Sequence, residues 1–358
     1  MKFPVLGSLA LLAAFIAPQA QKFLTPSHSP TSVKIKDDAS ENRAHFGLSR
    51  KNSGGGATAS FSGNVQQEWV RYFGSGQAYG VDVATAIAAD NNGYVYVTGY
   101  SSSPPFGLDY LTLKYHSPSG NLLWSARFSG EGYDNDIPVA IVVDGRGNVF
   151  VSGQSRSTST GVDYATVKYD HNGVQQWVAR YDGNAHADDY ATHMAVDAAG
   201  DVYVTGYSYF SEEYYGCTTV KYDSLGAEQW VVHYRGAENS YNKPYGLALD
   251  SRDEGQFLYI TGGSTIDDLS RYYDYSDFFM VKYDLSGQML WSTRYDSANG
   301  DDVARDLAVS ALGDVYVTGR SADYFMTIKY DSTGNMVWKT RHPAEGYPRG
   351  GAFALGLD

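Results

Sequence analysis

The chain has 358 residues, 43% of them hydrophobic, with 40 acidic against 27 basic side chains and a formal charge of −13. That balance repels phosphate, so it excludes nucleic acid as a partner and disfavours an anionic membrane surface. A single cysteine, Cys217, excludes intrachain disulfides and multi-cysteine metal sites, while 31 tyrosines, 39 glycines and only 19% charged residues point to strands and tight turns.

Lys2 opens the chain and an apolar run follows from Val5 to Ile16, then small and polar residues to Ala20. This is the layout of a secretory signal peptide over residues 1–20, too short to span a bilayer. It predicts an extracytoplasmic protein, secreted, periplasmic or held at the cell surface. Residues 21–66 are rich in Ser, Thr, Pro and Gly, with Ser53-Gly54-Gly55-Gly56 as the clearest flexible stretch, and read as a disordered linker. No later run approaches transmembrane length, so no membrane insertion is expected after signal removal.

From residue 67 to 358 the sequence repeats. Tryptophans fall at Trp69, Trp124, Trp177, Trp230, Trp291 and Trp338, 47 to 61 residues apart. Segments close to Val-Tyr-Val-Thr-Gly recur at Val95–Gly99, Val149–Gly153, Val202–Gly206, Leu258–Gly262 and Val315–Gly319. A second run ends at Lys114-Tyr115, Lys168-Tyr169, Lys221-Tyr222, Lys282-Tyr283 and Lys329-Tyr330. Both are β-branched and aromatic runs with strand composition. Asp144-Gly145-Arg146-Gly147 and Asp170-His171-Asn172-Gly173 fit hairpin turns in which Asp bonds nearby backbone and Gly accepts positive φ. One unit is therefore four antiparallel strands, and such units at a period near 50 residues predict an all-β fold, a β-propeller of tandem four-stranded antiparallel blades.

The combination of Asp-x-x-Gly, Val-Tyr-Val-Thr-Gly, Lys-Tyr-Asp and a following Trp resembles the bacterial SBBP-type β-propeller repeat, and more distantly the repeats of quinoprotein propellers. The resemblance runs from Gln67 to Asp358 and implies an extracytoplasmic propeller, usually without an assigned reaction. Five complete blades are predicted, over Ala84–Phe128, Val139–Tyr181, Ala191–Tyr234, Tyr245–Tyr295 and Ala304–His342. Glu68–Phe73 resembles an outermost strand and Ala352–Asp358 an innermost one, the two ends of one split, incomplete blade. The missing middle strands suggest a C-terminal truncation; otherwise the open sheet edges invite pairing with another chain.

The variable connections, between second and third strands, carry tyrosines: Tyr209, Tyr214 and Tyr215 in one loop, Tyr272, Tyr273 and Tyr275 in another. Tyrosine rings stack on sugars or peptide groups while their hydroxyls hydrogen-bond, so these loops are candidates to bind carbohydrate or protein. Asp82, Asp136, Asp189 and Asp302, with Asn242, recur at the start of the innermost strands. A carboxylate ring at a channel mouth suits a Ca²⁺ ion or a cationic ligand; no other cofactor is expected. His193 and Asp306 interrupt a column of small residues and offer acid–base groups near the axis. There is no phosphate loop, zinc-ligand spacing or nucleophile elbow. The leading expectation is a non-catalytic scaffold or binding module; the alternative is a propeller enzyme, a quinoprotein-like dehydrogenase or a polysaccharide-cleaving enzyme.

Overall fold

The computed structural model describes residues 69–343, apart from 75–79, 103–106, 132–133, 211–214, 237–239, 251–255, 267–275 and 298–299, together with 355–356. The predicted signal peptide, the whole of the predicted linker and the greater part of the C-terminal strand remnant lie outside the described residues. Among the described residues every regular element is a strand, and the strands form five four-stranded antiparallel sheets.

Blade 1 is β1 (Asp82–Ala89), β2 (Tyr94–Ser102), β3 (Leu108–His116) and β4 (Asn121–Phe128). Blade 2 is β5 (Asp136–Val143), β6 (Val149–Ser157), β7 (Gly161–Tyr169) and β8 (Gln175–Tyr181). Blade 3 is β9 (Asp189–Val196), β10 (Val202–Tyr209), β11 (Tyr215–Tyr222) and β12 (Glu228–Tyr234). Blade 4 is β13 (Ser240–Asp250), β14 (Phe257–Ile266), β15 (Ser276–Asp284) and β16 (Met289–Tyr295). Blade 5 is β17 (Asp302–Val309), β18 (Val315–Ser321), β19 (Tyr324–Tyr330) and β20 (Met336–Pro343). Each blade packs on the next in chain order, with β1 against β5, β5 against β9, β9 against β13 and β13 against β17.

The turns form for the reason their residues suggest. Asp170 Oδ1 accepts the backbone N–H groups of Asn172 and Val174, both at 2.9 Å, and Gly173 turns the chain at φ 82°. Asp90, Asp144, Asp197, Asp223, Asp284 and Asp331 repeat the arrangement. Ser310, which replaces Asp in blade 5, keeps the turn with longer bonds, 3.3 Å from Leu312 N and 3.1 Å from Asp314 N.

The strand ending in Thr-Gly is buried on both faces, so its threonines need internal partners. Thr98, Ser152, Thr205 and Thr318 pair hydroxyl to hydroxyl with Thr112, Thr166, Thr219 and Thr327 on the third strand. The glycine answers a different demand. Every innermost strand carries a bulge, for example between Ala84 and Ala86, that drives a carbonyl onto the neighbouring strand. A Cβ at Gly99, Gly153, Gly206, Gly262 or Gly319 would fall inside that carbonyl, of Val83, Ile137, Tyr190, Lys243 or Val303 respectively. The bulge also explains why the innermost strands start two to five residues earlier than the sequence predicts. It breaks the period-two alternation, so the residues ahead of it do not read as strand.

Blades are tied by paired donors. Lys114 Nζ and Trp124 Nε1 both donate to His171 O, at 3.1 Å each, reaching from blade 1 to a turn of blade 2. Lys168 and Trp177 share Ser224 O in the same way, and Lys282 and Trp291 share Ser332 O. Lys221 departs, pairing with Asp201 inside its own blade, while Trp230 still reaches Leu285 O. Trp69 holds the equivalent place against blade 1, donating to Ser117 O with its ring over Gly120. At the other end, Leu355 N donates to Asp306 Oδ2 at 2.8 Å, where the equivalent Leu307 N stands beside Gly246. Neither Trp69–Phe73 nor Leu355–Gly356 forms a strand, so the expected outermost and innermost strands of a split blade are not formed among the described residues, although these two contacts repeat ones made between complete blades. Every residue of β20 is exposed, Trp338 included.

Candidate functional site

At the end of the blades where second and third strands connect, blades 3 and 4 assemble a tyrosine cluster. Tyr209 closes β10 and pairs with Tyr215 at the start of β11, their rings 5.3 Å apart. Tyr207 lies 5.3 Å from Tyr215 and stacks at 5.0 Å on Tyr190 of β9, its register partner. Tyr215 reaches across the blade boundary to Tyr241 of β13, 5.1 Å away. Lys243 sets its Nζ 4.3 Å above Tyr207, and Arg305 of blade 5 lies 4.5 Å from the centre of the Tyr245 ring.

All of these side chains are half-buried. Burial, reinforced by the hydrogen bond to Asp188 and its charge, pushes the Tyr190 phenol up to about 12. Burial first, and Arg305 second, lower the Lys243 pKa. The cluster therefore offers neutral phenols as donors and acceptors, aromatic faces, and a cation already committed to a ring.

Of the tyrosines singled out in the loops, Tyr209 and Tyr215 are in this cluster, whereas Tyr214, Tyr272, Tyr273 and Tyr275 lie outside the described residues. Tyr190, Tyr207, Tyr241 and Tyr245 are absent from the sequence-based set because none lies in the connections between second and third strands; the structure places all four within β9, β10 and β13. A signal was present. The residue following the Thr-Gly glycine is Tyr100, Gln154, Tyr207, Gly263 or Arg320 from blade to blade, a variable position inside an otherwise repeated strand.

The recurring acids serve the connections between blades. Asp136 Oδ2 accepts Gly130 N at 2.7 Å, Asp189 Oδ2 accepts Gly183 N at 2.7 Å, and Asp302 Oδ2 accepts Ser297 N at 2.6 Å. Each thus receives the segment arriving from the preceding blade, and each is buried. Asn242 does the same job in reverse, donating to Arg235 O at 2.7 Å. Asp82 is exposed and takes the Ser101 hydroxyl at 2.5 Å. Burial is the main force raising the Asp136, Asp189 and Asp302 pKa values, with Asp189 reaching about 6. For Asp189, the Gly183 N–H and the Ser208 hydroxyl pull the other way, and the charges of Asp163 and Asp182 add to the rise.

His193 and Asp306 lie on β9 and β17, two blades apart, and Asp306 is occupied by Leu307 N and Leu355 N. A separate recess opens between β12 and β16, lined by His233, Arg235, Ser264, Met289, Thr293 and Arg294. Among the described residues no helix is long and apolar enough to cross a membrane.

The β-propeller repeat of the SBBP family matches residues 68–107, which hold Trp69 and the β1–β2 hairpin, and residues 176–211, which run from β8 through β10. No curated protein sequence matches the chain. Among solved structures it is similar to a protein of unknown function from Bacteroides caccae, at 13% identity over 73% of this chain and 82% of that one, with a TM-score of 0.42. It is also similar to a europium-containing methanol dehydrogenase, at 11% identity over 72% of this chain and 60% of that one, with a TM-score of 0.44. A gluconolactonase from Xanthomonas campestris is similar at 14% identity, covering 71% of this chain and 80% of that one, with a TM-score of 0.36. The chain thus carries the SBBP β-propeller repeat at two places, within a four-stranded antiparallel unit that is built five times.

Proposed function

We propose that this propeller works outside the cytoplasm as a non-catalytic scaffold and binding module, taking carbohydrate or protein at the tyrosine-rich end of blades 3 and 4. The observation that carries the reading is the unbroken chain of rings from Tyr190 through Tyr207 and Tyr215 to Tyr241, bridging two blades. Flat rings held by rigid strands present stacking area at low entropic cost, and their hydroxyls suit the edges of a sugar or a peptide backbone. The extracytoplasmic placement rests on the N-terminal signal-like segment.

A glycan and protein binding screen on the purified chain tests this. A ligand should emerge whose affinity falls about five- to tenfold in Tyr207→Ala and Tyr241→Ala, the loss of one stacking contact of ~1–1.5 kcal/mol. Tyr207→Phe should retain the stacking share. Ligands that bind these variants as tightly as the parent chain would reject the platform, as would the absence of any ligand.

A further inference from the structure

We propose that the junctions between blades 2 and 3 and between blades 4 and 5 are binding sites for a hard divalent cation, Ca²⁺ in the first instance. At the first junction, Asp163 of β7, Asp182 of the connection and Asp189 of β9 each place one carboxylate oxygen within 4.8 Å of the other two. Oxygens sharing one Ca²⁺ at about 2.3–2.6 Å fall within that separation. The cation proposed here sits between blades, using Asp189 and Asp302 with partners outside the axial ring.

Three acids close together are not a site in themselves; what distinguishes this trio is its unused oxygens. Asp163 Oδ2 accepts the Thr160 hydroxyl at 2.8 Å and Arg180 Nη2 at 3.3 Å. Asp182 Oδ2 pairs with His186 Nδ1 at 2.6 Å, and Asp189 Oδ2 takes Gly183 N. In all three the second oxygen, Oδ1, is buried with no hydrogen-bond partner. Asp163 and Asp189 are themselves only 2% and 0% exposed. The Ser208 hydroxyl stands opposite Asp189 in the register and is itself buried without a hydrogen-bond partner. A buried carboxylate oxygen without a donor is costly, and three neighbouring ones are more so, unless a cation satisfies them together.

The repeat supplies its own control. At the 4–5 junction the equivalent residues are Asp277, Asp296 and Asp302, again within 4.8 Å of one another, and Asp302 Oδ1 is again buried without a partner. At the 3–4 junction the same three positions are Gly216, Arg235 and Asn242. There all three carboxylates are gone together, and the connection carries a built-in guanidinium, stacked 4.4 Å from the Phe210 ring centre. The 1–2 junction has Asp109, Ser129 and Asp136 at these positions and so lacks the middle acid; loss of the acids and gain of a fixed positive charge at the 3–4 junction is the pattern expected if the 2–3 and 4–5 junctions recruit their cation from solution.

The test is calorimetric titration of the whole chain, freed of metal with a chelator, with CaCl₂ up to millimolar concentration, the range of extracellular Ca²⁺ modules at Kd ~10⁻⁴–10⁻³ M. Saturable binding approaching two ions per chain is expected, with a rise in melting temperature that EGTA reverses. Asp182→Asn and Asp296→Asn, both on connections, should each lower affinity at one site by about tenfold or more. The double variant should lose saturable binding, and Glu228→Gln, an exposed acid on β12, should keep it. Absence of saturable binding to the parent chain would overturn the proposal whatever the variants do. So would binding undiminished in the double variant.

Discussion

Trp177 shows how one side chain joins two blades. Its ring covers Gly226 of the next blade's turn and its Nε1 donates to Ser224 O at 3.2 Å, beside Lys168 Nζ on the same carbonyl. Trp177→Phe should therefore cost about 0.5–1.5 kcal/mol, the worth of a hydrogen bond, whereas Trp177→Ala should cost about 3–5 kcal/mol through the cavity between blades. Urea unfolding midpoints separate the two. Gly206 is constrained by contact rather than by dihedral: a methyl there meets the Tyr190 carbonyl and the Tyr164 hydroxyl. Gly206→Ala should destabilise by about 1–3 kcal/mol through overpacking, read from the same unfolding curves. Asp331 makes the opposite kind of statement, in solvent. The Thr333 hydroxyl first, then the N–H of Asn335, hold its carboxyl down to about 2. Its folded pKa lies below the unfolded value near 3.9, so its contribution is present above pH 4 and fades as pH falls toward 2. A carboxyl titration by NMR should find its midpoint near 2; one near 4 would show that the turn bonds do not form in solution.

At the level of strands and turns, most of the architecture was legible because each element announces itself locally. Val202-Tyr203-Val204-Thr205-Gly206 is β-branched and aromatic, and Asp223 through Gly226 carries the chemistry of its turn. The lead-in residues were not legible. Asp189 and Tyr190 belong to β9, but the bulge after Ala191 shifts the pattern that marks a strand. The partners of the recurring acids were hidden for a related reason. Asp163 and Asp189 are separated by a strand and a connection, and only the closure of blade 2 onto blade 3 brings them together. The tyrosine cluster was half visible. Tyr209 and Tyr215 flank a variable loop, whereas Tyr207 follows the Thr-Gly run inside β10 and Tyr190 lies in the lead-in of β9 that did not read as strand. Both the platform and the exchanged triad lie in columns across the blades and form no motif along the chain.

Across the whole molecule, the sheets are alike and their boundaries differ, so blade identity resides at the junctions. The acid pairs of blades 1, 2 and 4 with their arginines, Asp109 with Arg127, Asp163 with Arg180 and Asp277 with Arg294, give way in blade 3 to Gly216 and His233. His233 instead meets the Thr218 hydroxyl through Nδ1 at 3.0 Å, and burial, then Arg235, depress its pKa. A histidine kept neutral in the folded chain costs stability as pH falls below its unfolded value near 6.5. His233→Gln should flatten the part of the stability profile between pH 7 and 5 that this residue governs, measured by thermal unfolding across that range.

Cys217 gives this boundary a built-in clock. Its sulfur is buried among Leu247, Leu258 and Phe279 of the neighbouring blade, and burial pushes the thiol up to about 12, so almost none is thiolate at neutral pH. An alkylating reagent can reach it only when sheets 3 and 4 part, and the labelling rate then counts those partings. A rate equal to that of global unfolding would mark the ring as one cooperative body; a faster one would mean that neighbouring sheets breathe apart while the rest stays closed.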